Sequence, residues 1–279
     1  MSVVLGGCSV YRTYKRPDVA VIDSLYRQQI SPADSVASIA DLSWKELFTD
    51  PHLQKLIETG LCNNSDLGIA RLRAEEAEAL LQSARLSYLP SISLSPQGTI
   101  GKVEHSKTTK SYDLATSASW EIDIFGKLTN TKREARVVLE QSEAYRQAVQ
   151  TQLIATIANS YYTLLMLDEQ LNISRRTARN WSENLRVMKA LKNAGQTTDM
   201  AVAQTEASKL SVDASLLSLE RQITELENTL LSLLGSVPGD ITRSTLSSQS
   251  FPDTLLVGVP LQLLQRRPDV RQSEAVLAA

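Results

Sequence analysis

Little in this sequence can hold a metal or perform covalent chemistry. It has two cysteines, Cys8 and Cys62, and two histidines, His52 and His105. His52 sits beside a helix start and His105 in a polar loop, with no carboxylate or thiol at a useful spacing. HExxH, GxSxG and phosphate-cradling glycine loops are all missing. No enzyme, cofactor or metal site is expected. Aromatic residues make up 5% of the chain, with Gly 11 and Pro 9, thin for an all-β sandwich and its many turns. Charge is balanced, 29 bases against 31 acids for a net −2, so no basic excess exists to neutralise phosphates and nucleic acid is not an expected partner. No run reaches the roughly 18 apolar residues of a transmembrane helix. The richest candidate, Leu153 to Leu167, is interrupted by Thr156, Asn159, Ser160 and Thr163. At 42% hydrophobic and 22% charged, the 279 residues are not those of a disordered chain either.

What is present is helix-forming: Ala, Leu, Ser, Gln, Glu and Arg dominate. Asp50-Pro51 supplies a cap followed by proline at a first helical position. From there to about Ser87, Leu53, Leu56, Ile57, Leu61, Leu67, Ala70, Ala74, Ala77 and Leu81 recur mostly at three- and four-residue steps. Asn63-Asn64-Ser65-Asp66 interrupts the pattern as a break or a second cap. Residues 9–48 read as an extended arm with short helical pieces.

The period then changes to two. Ser91-Ile92-Ser93-Leu94-Ser95 alternates, and strands are expected over about 88–101 and 112–125, with a polar loop at 102–111. In the second, Leu114, Thr116, Ala118, Trp120, Ile122 and Ile124 face one way and Asp113, Ala115, Ser117, Ser119, Glu121 and Asp123 the other. The acids are expected to line or rim a wet interior. A half-buried soluble hairpin and a membrane-barrel hairpin both show this alternation.

Lys127 to about Asn193 contains neither glycine nor proline, a helix roughly 100 Å long. Ile157, Leu164, Leu171, Ala178 and Leu185 fall at strict sevens, with Leu153, Leu167, Trp181 and Met188 on companion positions, which is coiled-coil spacing. Ala194-Gly195-Gln196-Thr197-Thr198-Asp199 supplies a stop, a turn and a new cap. A return helix over about 198–234 is again heptadic, with Leu216, Ile223 and Leu230 beside Leu219, Leu226 and Leu233. Gly235, Pro238 and Gly239 end it. The segment opening at Pro260 faintly echoes the earlier one, with Leu61, Asp66 and Leu67 recurring as Leu264, Asp269 and Val270.

Val3-Val4-Leu5-Gly6-Gly7-Cys8-Ser9 resembles the lipobox of a bacterial lipoprotein, cleaved before a cysteine that is then acylated. Seven residues precede Cys8 and none of them is basic. The chain is therefore expected to be a fragment, or to carry a misplaced start. More widely, the sequence resembles the TolC-like outer-membrane efflux factors, in particular the lipoprotein branch serving resistance-nodulation-division pumps. The residues that carry this are the LGGCS start, Trp44 through Leu53, Tyr88-Leu89-Pro90-Ser91-Ile92, Ser119-Trp120-Glu121-Ile122-Asp123-Ile124-Phe125-Gly126-Lys127, Gly195 through Asp199, and Gly258-Val259-Pro260 through Val270.

The resemblance implies a mainly α fold with a β-hairpin: long coiled-coil helices plus two barrel strands. That is half a protomer of a trimeric outer-membrane β-barrel continuing into a periplasmic α-barrel. Its expected divisions are a truncated signal (1–7), a lipid-anchored arm (8–50), a first repeat (51–235), an equatorial linker (236–259) and the start of a second repeat (260–279). It implies Cys8 as the lipidated residue, and Trp120, Ile122 and Ile124 as the lipid-facing side of a strand. It further implies Gly195, Gln196, Thr197, Thr198 and Asp199 as the periplasmic tip that meets an adaptor. The implied partners are two further copies in a homotrimer, a periplasmic adaptor, an inner-membrane pump and outer-membrane lipid. The implied activity is that of a passive conduit for exported small molecules. A type I protein-secretion channel shares the fold, and a soluble coiled-coil scaffold would explain the heptads but not the lipobox or the strand pair.

Overall fold

The computed structural model describes residues 43–101, 108–250 and 266–278. Cys8, His105, residues 102–107 and the stretch 251–265 lie outside the described residues. Packing divides the chain into two compact units. One holds residues 43–69 and 147–250 of the described chain; the other holds 70–101, 108–146 and 266–278.

In the first unit, α1 (Trp44–Leu47) opens on a reciprocal cap, in which Ser43 accepts from the Lys45 amide while Glu46 accepts from the Ser43 amide at 2.9 Å. Next, α2 (Pro51–Asn63) begins at the expected proline, and Asp50 Oδ1 accepts the His52 amide at 2.8 Å. The expected interruption falls at Asn64. Its Oδ1 accepts the Leu67 amide at 2.9 Å and so caps α3 (Ser65–Leu86), while its Nδ2 donates to the Leu233 carbonyl at 3.0 Å. A single residue therefore starts one helix and ties it to the end of another.

The long helix is unbroken: α4 runs from Lys127 to Asn193, 67 residues, and α5 returns from Asp199 to Leu233. The heptad reading holds, since Ile157, Leu164, Leu171, Ala178 and Leu185 are all buried. Leu53, Ile57, Leu153, Ile223, Leu230, Leu234 and Ile241 join the core of this unit. Gly60 lets α2 approach α4 closely, because a Cβ there would lie 2.5 Å from Ile157 Cδ1 and 3.2 Å from Leu234 Cδ2.

In the second unit, Ala70, Ala77 and Ala84 are buried at seven-residue steps along α3, with Leu81 between them. Such small side chains allow close helix approach, and the Arg73 guanidinium lies 5.8 Å over the Tyr145 ring of α4. The strands are β1 (Ser91–Gly101) and β2 (Thr109–Ser119), paired antiparallel from Ser91↔Ser119 to Gly101↔Thr109. This corrects the expected bounds. Pairing begins at Ser91, opposite Ser119, and does not extend to Pro90 or Trp120. Residues from Trp120 onward consequently have no partner in β1, and Trp120, Ile122 and Ile124 lie beyond the end of β2. At the other end, Thr109, Lys110 and Ser111 belong to the strand rather than to the loop. The last helix, α6, is described from Pro268 to Ala278, with Asp269 accepting from the Val270 amide and pairing with Arg267 at 2.6 Å.

Two helix glycines should respond oppositely to substitution. Gly68 has nothing within 4 Å of a built Cβ, so Gly68→Ala should raise stability by up to about 1 kcal/mol. Gly60→Val should lower it by about 1–3 kcal/mol through overpacking against Ile157. Thermal midpoints of the two variants measured side by side check this ordering.

Candidate functional site

The hairpin sorts its residues by chemistry. One face carries Ile92, Leu94, Pro96, Gly98 and Ile100 with Tyr112, Leu114, Thr116 and Ala118, and Lys110 at its loop end; the other carries Ser91, Ser93, Ser95, Gln97, Thr99 and Gly101 with Thr109, Ser111, Asp113, Ala115, Ser117 and Ser119. The expected parity over 113–119 is therefore present in the pairing. Hydroxyls of Ser91 and Ser119 meet at 2.7 Å across the strands, as do those of Ser93 and Ser117. Every residue of both strands is exposed, and on the apolar face exposure runs from 60% at Leu94 to 75% at Tyr112. A bare two-stranded hairpin is marginal in water, and a contiguous exposed apolar face marks a contact surface.

Below the strands the chain behaves differently from expectation. Asp123 is engaged by the helix start: its Oδ1 accepts the Leu128 amide at 3.0 Å, and its Oδ2 accepts the Thr129 amide at 2.9 Å and the Thr129 hydroxyl at 2.6 Å. The free amides at a helix start outbid solvent for this carboxylate. Glu121 likewise pairs with Lys127 at 2.7 Å. Of the three strand acids, Asp113 alone stands on the polar face of the paired ladder.

At the far end of α4, Gly195 takes φ +73°, its amide donates to the Lys192 carbonyl, and the Gln196 amide reaches the Leu191 carbonyl, both at 2.9 Å. That is a glycine-dependent helix stop. Thr198 caps α5 by accepting the Ala201 amide at 3.3 Å, and Asp199 pairs back to Lys192. Gln196, Thr198 and Asp199 are exposed and Thr197 is half-buried. Among the described residues, no group of His, Cys, Asp and Glu is placed to share a metal ion. No described helix is long and apolar enough to cross a membrane.

Residues 56–236 match the sequence family described as outer membrane efflux protein. The chain belongs to this family. Among curated efflux proteins, the toluene efflux pump outer membrane protein TtgC of Pseudomonas putida is 27% identical over 99% of this chain. The probable outer membrane lipoprotein SilC of Salmonella typhimurium is 31% identical, also over 99% of the chain. The chain spans 59% of the TtgC length and 61% of the SilC length. Among solved efflux channels, the open-state Neisseria gonorrhoeae MtrE outer membrane channel superposes with a TM-score of 0.77 at 27% identity, over 97% of this chain and 61% of that one. CusC gives 0.77 at 25%, covering 97% and 62%. The fold is accordingly mainly helical with a two-stranded antiparallel sheet, as in the efflux channels.

The sequence alone did not reveal a buried polar cluster that fastens residues 241–249 in this efflux-family chain. Tyr161, fully buried, donates to Asp50 Oδ2 at 2.6 Å and accepts the Ser244 amide at 3.1 Å, while Gln249 Nε2 reaches the same Asp50 oxygen at 2.8 Å. Arg243 forks onto Asp168 at 2.5 and 2.9 Å, and also pairs with Glu227. Burial works against ionised Asp50, but hydrogen bonds from Tyr161, Gln249, the His52 amide and Ser244 outweigh it and hold the carboxyl below its ordinary value. Burial and the adjacent Asp50 push the Tyr161 phenol up to about 12. These partners are 83 to 199 residues apart in sequence, so no local pattern could have signalled them.

The signs of both shifts set the pH dependence. Asp50 is depressed on folding, so its contribution is complete above the ordinary carboxyl range and disappears as pH falls through the lower folded value. Tyr161 is raised, so its contribution is complete below about pH 10 and disappears as pH rises towards about 12. Tyr161→Phe strips partners from buried Asp50 and from the Ser244 amide, and should cost about 1–3 kcal/mol near neutrality. Thermal midpoints across pH should show the alkaline loss in the parent and its reduction in Tyr161→Phe.

Proposed function

We propose that this chain is part of an outer-membrane channel of a tripartite efflux system, a passive conduit rather than an enzyme. The observation that carries the reading is the sorted hairpin: an apolar face, a hydroxyl face, and exposure throughout. Lipid against the first face and water against the second would satisfy both. Trp120 continues the parity of Leu114, Thr116 and Ala118, and its indole N–H already has a partner in the Tyr88 carbonyl at 3.1 Å. That suits an aromatic side chain at the edge of the hydrocarbon. Ile122 and Ile124, 63% and 76% exposed, take the same lipid-side role below the paired ladder.

In hydrocarbon no strand edge can stay unpaired. Two strands cannot close a barrel, so further strands must come from partner copies in a homotrimer and from the share of the relatives' length that this chain does not span. Cys8, preceded by small residues, is the proposed lipid attachment, in keeping with the lipoprotein name of SilC. The relatives' names point to different cargo, toluene for one and cations for CusC. This fits a conduit whose inner-membrane pump chooses what is exported.

Charge on the lipid side of a barrel costs roughly 2–4 kcal/mol near the bilayer midplane. Leu94→Lys should therefore lower the amount of trimer in the outer membrane far more than Ser93→Lys, its neighbour on the opposite face. Equal effects would remove the assigned facing. Asp123 is unsuitable for this comparison, because it caps α4.

The Gly195–Asp199 turn is the proposed adaptor contact. Along the chain it is separated from the strand joint by the 67 residues of α4. Cysteines at Gln196 or Thr197 should cross-link to the periplasmic adaptor in cells, and a cysteine at Ser111 in β2 should not. Capture from Ser111 with none from Gln196 would reverse the orientation.

A further inference from the structure

Residues 120–126 connect β2 to α4 outside any strand or helix, and all but Asp123 and Gly126 are exposed. Several side chains hold this connector. Asp123 accepts three donors from the first turn of α4, one of them the Thr129 hydroxyl. With its proton committed to Asp123, that hydroxyl accepts from the Tyr88 phenol at 3.1 Å. The Tyr88 carbonyl in turn accepts the Trp120 indole N–H at 3.1 Å. Lys132, a turn further along α4, places its ammonium 5.6 Å over the Tyr88 ring. Tyr88 lies on the way into β1 and Trp120 on the way out of β2. One hydrogen-bonded chain thus joins the entrance of the hairpin, its exit and the start of the long helix.

Capping alone would need the Asp123 carboxylate and two amides. It has no use for a tyrosine hydroxyl from another segment or for an indole anchored to that segment's backbone. The hydroxyls of Tyr88 and Thr129 polarise one another towards Asp123 and act as a unit, while the Glu121–Lys127 pair ties the connector to α4 only through two exposed, flexible side chains. The geometry points to Tyr88, Trp120, Asp123 and Thr129 as a latch that fixes the angle at which the hairpin leaves α4. Strands and helix then move as one body. Its purpose rests on the channel reading, since a barrel that turns freely on its helices could not keep a continuous bore. These are positioning residues: none of them need touch a solute.

The test uses the membrane-reconstituted protein carrying Cys62→Ser and nitroxides at Ser111 and Glu134, diluted with unlabelled chains so that distances within one chain dominate. The parent and Thr129→Ser should give one narrow distance. Tyr88→Phe and Thr129→Val should lose that narrow peak, while slow hydrogen exchange at the Leu128 and Thr129 amides persists and shows the cap intact. A narrow peak surviving in both Tyr88→Phe and Thr129→Val overturns the latch. Failure of every variant and of the parent to insert into membranes would defeat the channel reading instead. The same distance comparison in detergent would then still decide the latch.

Discussion

A helix of 67 residues has one route to stability: an apolar seam along its length. Helical hydrogen bonding alone is marginal in water, and packing supplies most of the rest. In α4 the seam is visible residue by residue, from Leu128 and Ala144 through Ile157, Leu164 and Leu171 to Leu185, all buried. Because α4 is continuous, the places where the chain can change direction are pushed to its ends, and each end is chemically fixed. Asp123 holds the start, and Gly195 with the Gln196 amide closes the finish. Thr198 opens α5 and Asn64 opens α3. Each such cap is worth about 1 kcal/mol, modest as stability but decisive for direction.

The buried polar cluster plays a different part. Asp50 caps α2 with one oxygen and receives Tyr161 and Gln249 on the other. A buried charge left without partners is expensive, so a segment that strays loses several contacts together. Arg243 repeats the logic with two carboxylates, and its guanidinium is held charged by Asp168 and Glu227 against the cost of burial. Replacing such groups by apolar ones can leave stability unchanged. Their value here is geometric: they permit a single placement of residues 241–249 on the helices beneath.

Legibility in the sequence followed the range of the interaction. Periodicity showed the heptads, the return helix and the turn at Gly195, since each is a local pattern read out by one helix. Asp50-Pro51 and the asparagine pair showed caps for the same reason. The hairpin parity was equally plain, because alternate residues must point to opposite faces. Strand ends were misplaced because alternation continues from Ser119 to Ile124 while pairing ends at Ser91 and Ser119. The capping role of Asp123 was hidden for a related reason. The residue keeps the parity of a barrel-lining acid, yet the helix start five residues on has the stronger claim to its oxygens. Tyr161 and Arg243 carry no local signal, because Asp50 and Asp168 are distant from them in sequence.

The hairpin finally constrains what the rest of the assembly must supply. Its hydroxyl face is built from serine and threonine with one alanine, one glutamine and one carboxylate, short side chains that leave room in front of the sheet. Its apolar face carries isoleucine, leucine and tyrosine, side chains large enough to need covering, with Lys110 at the loop end. A soluble partner could cover one face, but it would leave two strand edges as templates for uncontrolled pairing. Closure of the edges by further strands and coverage of the apolar face by lipid answer both demands together. The serine pairs at 2.7 Å then turn towards water, where an unsatisfied hydroxyl costs least. The same small residues that look featureless in the sequence keep one side of the sheet open to water.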